Sequence, residues 1–519
     1  MKRLFSIAII AALALGSVSC SDLDYTEKYP NPSQTTTVTC EKLMTGIFNA
    51  GAGYTFKGYL CIFGWEGQGF LRYTQMLGFV NSVGRYEIQE SRYTDRWNNF
   101  YNLLTQFRLL EYTYDNLPDV SKPNYKVFVD LSKVYMLDHL CQVVDTWGDV
   151  PYLKAGFLPI TGDVATARPA YDKATDLYKT ILDDLKTINN DLAAMGSPSD
   201  LTTGYLKEHD FINKGDLMRW RKYANSLRLR VAFRVSEQGE LADLGKSVIK
   251  EILSDPTQYP LVDNNSETIK MMPDEDGFEW AAKNPEEGYH TWEGAYNRVS
   301  KYFVDALEDD PRLPILADEN GEGNYIGIDM QTPLDEQNKL FDRKDYYSSY
   351  DSATFSRNRL LPGVMTSAAE VAFSKAEAYQ KGYVPGDAKA EFIRGVILSV
   401  EFYYSVNATT TFREPTPAPE ESLVRSFAEK KWNEATNKEE VILTQKWLHY
   451  GILQPVQSYC DIKRTGYPVF DFPEDASAQM CKNVPNRIKY PNAERDNNAE
   501  NYEAVKSQDN FTDKRFWMK

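Results

Sequence analysis

Apolar residues recur at three- and four-residue steps through much of the chain, the spacing of one face of an α-helix. Between 171 and 192, Tyr171, Ala174, Tyr178, Ile181, Leu182, Leu185, Ile188 and Leu192 form one stripe. Asp172, Lys173, Asp176, Lys179, Asp183 and Lys186 fill most of the other face. Pro169 stands where the first turn of such a helix tolerates a missing N–H. The stretch 217–233 repeats the pattern through Leu217, Trp220, Ala224, Leu227 and Val231. Stretches 95–116, 125–145, 368–381, 388–406 and 439–450 read as further helices, with Gly382 at a C-cap position. Short breaks such as 117–123 and 382–386 separate partners. This pattern predicts an all-α fold of paired, tetratricopeptide-like helices forming one scaffold, although no repeat signature is legible.

Two stretches break the pattern. Residues 46–93 read as irregular and rich in aromatics. Between 255 and 363 the helical spacing thins, Pro, Asp, Asn and Gly accumulate, and one helix is expected near 295–308. Irregular regions of that length inside a folded chain usually carry function, so both are expected to hold ligand-binding loops.

The N-terminus predicts an address. Lys2 and Arg3 precede an apolar run over 4–18, which at about fifteen residues is short for a membrane span. Ser17-Val18-Ser19-Cys20 resembles a bacterial lipobox, in which cleavage precedes the cysteine and Cys20 becomes acylated. An ordinary secretory signal with an incidental cysteine is the alternative. Several acyl chains would make the anchor durable. Ser21-Asp22-Leu23-Asp24 resembles the acidic tag that sends some lipoproteins to the outer face of the outer membrane. The organisation expected is a signal peptide at 1–19, a lipidated tether at 20–40 and a helical domain at 41–519, with 255–363 as a loop-rich region inside it.

Charge narrows the partners. A formal net charge of −16 argues against nucleic acid or anionic lipid headgroups. Six cysteines include Cys20 and leave Cys40, Cys61, Cys141, Cys460 and Cys481. No C-x-x-C spacing supports zinc or thiol–disulfide chemistry. Cys460 and Cys481 either pair in an oxidising compartment or are two independent buried thiols.

Several segments then add a resemblance. Thr146-Trp147-Gly148-Asp149-Val150-Pro151-Tyr152 is similar to the W-G-D-V-P-Y turn of SusD/RagB-type nutrient-binding lipoproteins. Trp220, Tyr223-Ala224-Asn225-Ser226-Leu227 and Leu229-Arg230 resemble that family's W-x-K-F-A-N-S-L-x-L-R helix. Asp310-Pro311-Arg312-Leu313, Glu370-Val371 with Ala376-Glu377-Ala378, Gln445-Lys446-Trp447, and Arg464-Thr465-Gly466-Tyr467-Pro468 resemble its later elements. Tyr490-Pro491, Glu494 and Asn501-Tyr502 resemble its end. Each is weak alone, but they follow in order along most of the chain. The resemblance implies a lid over a SusC-like TonB-dependent barrel in the outer membrane, capturing an oligosaccharide or, in some members, a peptide. The motifs themselves read as scaffold. Trp147, Trp220 and Trp447 are expected in the core, Gly148 and Pro151 in a tight turn, and Arg464 bracing a loop through backbone carbonyls.

No catalytic constellation emerges. G-x-S-x-G, H-E-x-x-H and Walker patterns are absent. His139, His209, His290 and His449 are scattered, and no carboxylate pair is singled out for glycoside chemistry. Asp318-Glu319-Asn320-Gly321-Glu322-Gly323 with Asp329 departs from a calcium loop at its fifth and twelfth positions, so it reads as a polar surface loop. Neither a metal nor another cofactor is expected, and the chain reads as a binding protein rather than an enzyme.

Aromatics are the better candidates. The 34 tyrosines exceed what a core requires. Rings present flat apolar faces to sugar C–H groups while Tyr and Trp keep a polar edge. Three clusters in irregular stretches are expected to bind ligand: Trp65, Phe70 and Tyr73; Trp280, Tyr289, Trp292 and Tyr296; and Tyr346, Tyr347 and Tyr350. Asn81, Asn284 and Asn297 are candidate hydrogen-bond partners. The competing reading is that these rings pin loops to the helical body. Peptide binding on the same scaffold, a lid without ligand affinity, and an enzyme remain alternatives to glycan capture.

Overall fold

Helices dominate the computed structural model, which describes residues 38–58, 60–79, 81–164, 167–274, 281, 298–343 and 345–519. The first group is α1 (Cys40–Thr55), α2 (Glu90–Asp115), α3 (Lys122–Trp147), α4 (Ala174–Met195), α5 (Asp200–His209), α6 (Leu217–Val235) and α7 (Ala242–Ser254). After α8 (Leu334–Asp342) come α9 (Ala368–Gln380), α10 (Ala388–Asn407), α11 (Glu421–Glu434), α12 (Lys438–Tyr450) and α13 (Pro455–Thr465). Neighbours pack as hairpins: α2 on α3, α6 on α7, α9 on α10 and α10 on α11, with α4 laid on α6 and α12 on α9. The mainly helical, paired architecture expected from the sequence is what the chain adopts.

Local chemistry sets the ends. Ser199, Asp216, Ser367, Asp387 and Asn437 each cap a helix by accepting a backbone N–H in its first turn. Gly382, at φ +70°, closes α9. Its N–H donates to the Tyr379 carbonyl while Tyr383 donates to Ala378, the paired bonds of a Schellman stop. The start of α4 differs from expectation. Pro169 lies ahead of the helix, which begins only at Ala174, because Asp172 is held in an extended bridge with Val150. The Asp172 carboxylate accepts the N–H groups of Tyr152 and Leu153, and Asp149 accepts that of Ala174 at 2.8 Å. The Trp147–Tyr152 turn is thus clamped to the head of α4.

The stretch 46–93 is more regular than expected. It contains most of α1, then a wide π-type helix at Leu60–Phe70 and one turn at Leu71–Tyr73. Gly46, Gly51 and Gly53 hid α1 from the periodicity. Gly51 is required by packing: a Cβ there would lie 2.4 Å from the Tyr135 hydroxyl. Helices α5, α7, α8, α11 and α13 were not among those expected either. The expected helix near 295–308 appears, among described residues, as Lys301–Ala306. Two small antiparallel pairs order the insertion. β1 (Ile269–Met271) with β4 (Gly363–Thr366) closes its neck, and β2 (Ala317–Asp318) pairs with β3 (Ser349–Tyr350).

The segments that carried the resemblance form the buried polar framework. Trp147, Trp220 and Trp447 are all in the core, their indole N–H groups donating to the Lys489 carbonyl, Asp210 and the Thr74 carbonyl. Arg230 forks onto Glu370 at 2.6 and 2.7 Å. Arg312 forks onto Asp310 and also reaches Gln445 and Ser399. Arg464 corrects its expectation: its partners are carboxylates, not backbone carbonyls. It grips Glu377 at 2.6 and 3.0 Å, with Asp461 and Glu237 beside it at 3.1 Å. Burial pushes the Asp461 carboxyl up, but Lys446, Arg464 and Arg234 outweigh it and hold the group below the usual range. Buried ions survive only when paired in this way.

The five described cysteines are free and buried, so Cys460 and Cys481 do not pair. Cys481 instead donates to the Asn483 carbonyl at 3.2 Å. Burial pushes the Cys481 thiol up to about 12 and the Cys460 thiol well above its ordinary value. Cys20 lies outside the described residues.

Candidate functional site

Three irregular stretches, far apart in sequence, meet on one face. Leu77 bridges Val299, and the Gly78 N–H donates to the Arg298 carbonyl at 2.8 Å. Asn81 donates its N–H to Gln337 on α8. The segment after α13 joins them: Tyr302 packs on Phe470, its hydroxyl accepts the Asp471 N–H, and Tyr86 donates to the Pro473 carbonyl. Helices thus form the body, and the mostly irregular segments 74–79, 81–89, 298–343, 345–351 and 466–490, with α8 among them, meet beside it.

A cavity of about 760 Å³ opens where the head of α2 meets the chain's C-terminal arm. Gly67 and Gln68 of the wide helix form one wall, Gly84 to Tyr93 a second, and Lys489 to Arg495 with Asp509 and Phe511 the third. Polar bonds hold the walls in register. Gln68 accepts the Gln89 N–H at 3.2 Å, Glu90 accepts that of Asn492 at 3.1 Å, and Glu87 accepts that of Cys481 at 3.2 Å. Asp509 takes the Tyr490 N–H at 2.9 Å and the Tyr502 hydroxyl at 2.7 Å. Burial raises the Tyr93 and Tyr490 phenols to about 12, so both stay neutral. Amides, guanidinium groups and ring edges around so large an opening suit a polar ligand with apolar patches. A second cavity of about 480 Å³ lies across the short helix Asn492–Asn497, with Trp97, Tyr101, Phe157 and Leu158 in its walls.

Most of the aromatics expected to bind ligand are placed elsewhere. Trp65 is 2% exposed and stacks on Trp147 at 5.6 Å. Phe70 and Tyr73 pack against Tyr459, and the Tyr73 hydroxyl donates to the Tyr86 carbonyl at 2.6 Å. Tyr350 is buried and donates to the Met76 carbonyl, while Tyr347 is buried against Phe341 and Tyr346. These five rings are buried in packing contacts, the competing reading. Tyr346 is half-buried, with the Arg343 guanidinium 4.6 Å from its ring centre. Trp280, Tyr289, Trp292, Tyr296, Asn284, Asn297 and His290 lie outside the described residues. Sequence reasoning missed the cleft because its walls are some four hundred positions apart. The Tyr490-Pro491 and Glu494 resemblance was the one signal near it.

The remaining candidate chemistry is structural. Ser367 and His449 are 2.6 Å apart, with Ser399 on the other ring nitrogen at 3.0 Å, an arrangement suggestive of a nucleophile and base. Both are buried, Ser367 caps α9, and burial together with Arg312 and Lys446 pushes His449 down to about 3. A ring so poised is not a base near neutrality. Burial and Arg96 likewise push His139 well down. In the calcium-like run, Asp318 accepts from Ser352 and Arg413, Glu322 pairs with Arg343, and the Asn320 side chain accepts the N–H groups of Glu322 and Asn324. Its donors are occupied within a polar loop. No helix among the described residues is long and apolar enough to cross a membrane.

Comparison with known proteins places this architecture. A family model described as SusD-like, starch-binding and associating with the outer membrane, matches residues 65–491. Among solved structures, a chitin-binding protein is 22% identical, with a TM-score of 0.74, covering 92% of this chain and 100% of its own. A SusD homolog from Bacteroides fragilis is also 22% identical, with a TM-score of 0.70 and coverage of 92% and 99%. A chitin-binding SusD homolog from Flavobacterium johnsoniae is 18% identical, with a TM-score of 0.68 and coverage of 91% and 98%. At such identities these structures establish a shared fold. No curated protein sequence matches the chain.

Proposed function

The chain belongs to the SusD-like family of proteins associating with the outer membrane, and from that membership we propose that it captures a glycan and delivers it to a SusC-like TonB-dependent transporter. Acyl chains on Cys20 hold it on the extracellular side of the membrane, the 20–40 tether leaving the body free to move as a lid. The single observation that carries this reading is the 760 Å³ cleft, with rings and side-chain amides in walls cross-bonded by the α2 head and the C-terminal arm. Its breadth suits a few sugar units held without covalent chemistry. Trp280, Tyr289, Trp292 and Tyr296, together with half-buried Tyr346, are proposed to contribute further stacking surfaces.

Two relatives of the same fold are named for binding chitin, which supports sugar as the ligand class. Binding is non-catalytic in this reading, since the described Ser–His pair is buried and its imidazole is depressed.

A glycan array probed with the purified protein tests the class. Replacing Gln89 and Asn492 by alanine is expected to weaken binding to any array hit about tenfold, as lost hydrogen bonds to a desolvated ligand do. Binding to a peptide library with no glycan hit would point to the alternative ligand class. Mass spectrometry of the N-terminal peptide tests the anchor: a diacylated Cys20 is expected, and a free thiol there would remove it.

A further inference from the structure

Resting on the reading of this cleft as the glycan site, we propose that it selects acidic oligosaccharides, chains whose sugars carry carboxylates. The argument is the way the cleft uses its charges. Three acidic residues line it, Glu87, Glu90 and Asp509, and each is already bonded to a protein donor. Asp509 has both oxygens engaged.

The basic residues are held differently. Arg72, Arg92, Lys489 and Arg495 line the same space, one more cation than there are acids. Lys489 and Arg495 have no carboxylate partner among the described residues. The Lys489 ammonium instead stands 5.5 Å from the centre of the Phe511 ring. Arg92 has only Asp95, at 3.9 Å, and its Nε is buried without an acceptor. In a chain with a net charge of −16, two cations without a carboxylate partner among the described residues, Lys489 and Arg495, side by side in one cavity are not a by-product of composition.

The consequence is energetic. Seating any ligand removes water from these cations. A neutral sugar leaves them desolvated and unpaired, which is costly, whereas a carboxylate on the ligand restores a charge-assisted bond. The guanidinium fork of Arg495 matches a carboxylate bidentately, and Lys489 supplies a point charge beside the ring. Sulfate esters also carry a single negative charge and share this chemistry; the two-oxygen edge of a carboxylate is the form that the planar Arg495 fork pairs with bidentately, and the carrageenan probe separates the two.

Isothermal titration of the protein purified in detergent tests the proposal. The probes are tetragalacturonate, tetramannuronate, their fully methyl-esterified forms, a carrageenan tetrasaccharide and chitotetraose. At least one acidic tetrasaccharide is expected to bind tenfold or more tighter than its own ester, with affinity falling as salt rises. Lys489→Gln and Arg495→Gln are each expected to weaken that binding about tenfold and leave the ester unaffected. Equal binding of acid and ester, insensitive to both substitutions, would overturn the carboxylate preference. Tighter binding of the carrageenan probe would overturn it in favour of sulfate. Chitotetraose binding that is lost in the Gln89 and Asn492 alanine variants but not in the charge variants would overturn the preference while leaving glycan capture standing. Glycan binding unaffected by all four substitutions would remove the cleft itself.

Discussion

Arg464 and Arg495 are thirty-one residues apart and serve opposite ends. Arg464 is fully buried, forked onto Glu377 and flanked by Asp461 and Glu237. Arg495 is exposed at the cleft and has no carboxylate partner among the described residues. The contrast holds for the two regions around them. In the helical body, Arg230 and Arg464 are matched by acids from distant elements, and Arg312 by the neighbouring Asp310 together with Gln445 and Ser399, so their charge is consumed in holding the body together. In the cleft, the acids are bonded to the protein, while Lys489 and Arg495 have no carboxylate partner among the described residues. The family-like motifs of the body thus mark the scaffold, while Lys489 and Arg495 lie outside them.

The largest expected effect lies in the body. Glu377→Ala leaves Arg464 buried with fewer partners and is expected to cost about 3–5 kcal/mol in urea unfolding. A loss under about 1 kcal/mol would break the comparison, because the pair would not be framework. Trp65→Ala is expected to cost about 3–5 kcal/mol through the cavity left against Trp147. Its folded fraction should bind glycan normally, and selective loss of binding without loss of stability would return Trp65 to the site.

A pH series sharpens the body's side of the contrast. The folded pKa of His449 lies below that of the unfolded chain, so its contribution is present above about 6.5 and is lost as pH falls towards about 3. His139 shifts in the same direction. The His449 imidazole is expected to remain neutral in the folded chain at about pH 4.5 by NMR of its ring resonances, and titration near 6.5 would contradict its burial. The smallest effect belongs to the cleft. Lys489→Gln and Arg495→Gln are expected to change stability by no more than about 0.5 kcal/mol, since neither cation has a carboxylate partner among the described residues.

Helical periodicity made the body legible where one face is apolar, as in α4, and where a capping glycine stops a helix, as at Gly382. It failed at α1, where three glycines blur the apolar stripe and Gly51 is there to admit Tyr135. It placed the start of α4 too early because Asp149 and Asp172, from or facing the preceding turn, decide it. Aromatic counting failed for Trp65, Phe70, Tyr73, Tyr347 and Tyr350, since a ring in an irregular stretch serves a core as readily as a ligand. The cleft was not legible because it depends on a tertiary meeting of the α2 head with the C-terminal arm. Its unpaired cations become visible only when every neighbouring carboxylate has been assigned.

Hydrogen–deuterium exchange with and without a saturating glycan tests the location of binding most directly. Protection is expected across 84–95 and 480–511, with α9 and α12 unchanged. Protection confined to 97–105 and 155–164 at the aromatic cavity, or absent from both walls of the cleft, would contradict it.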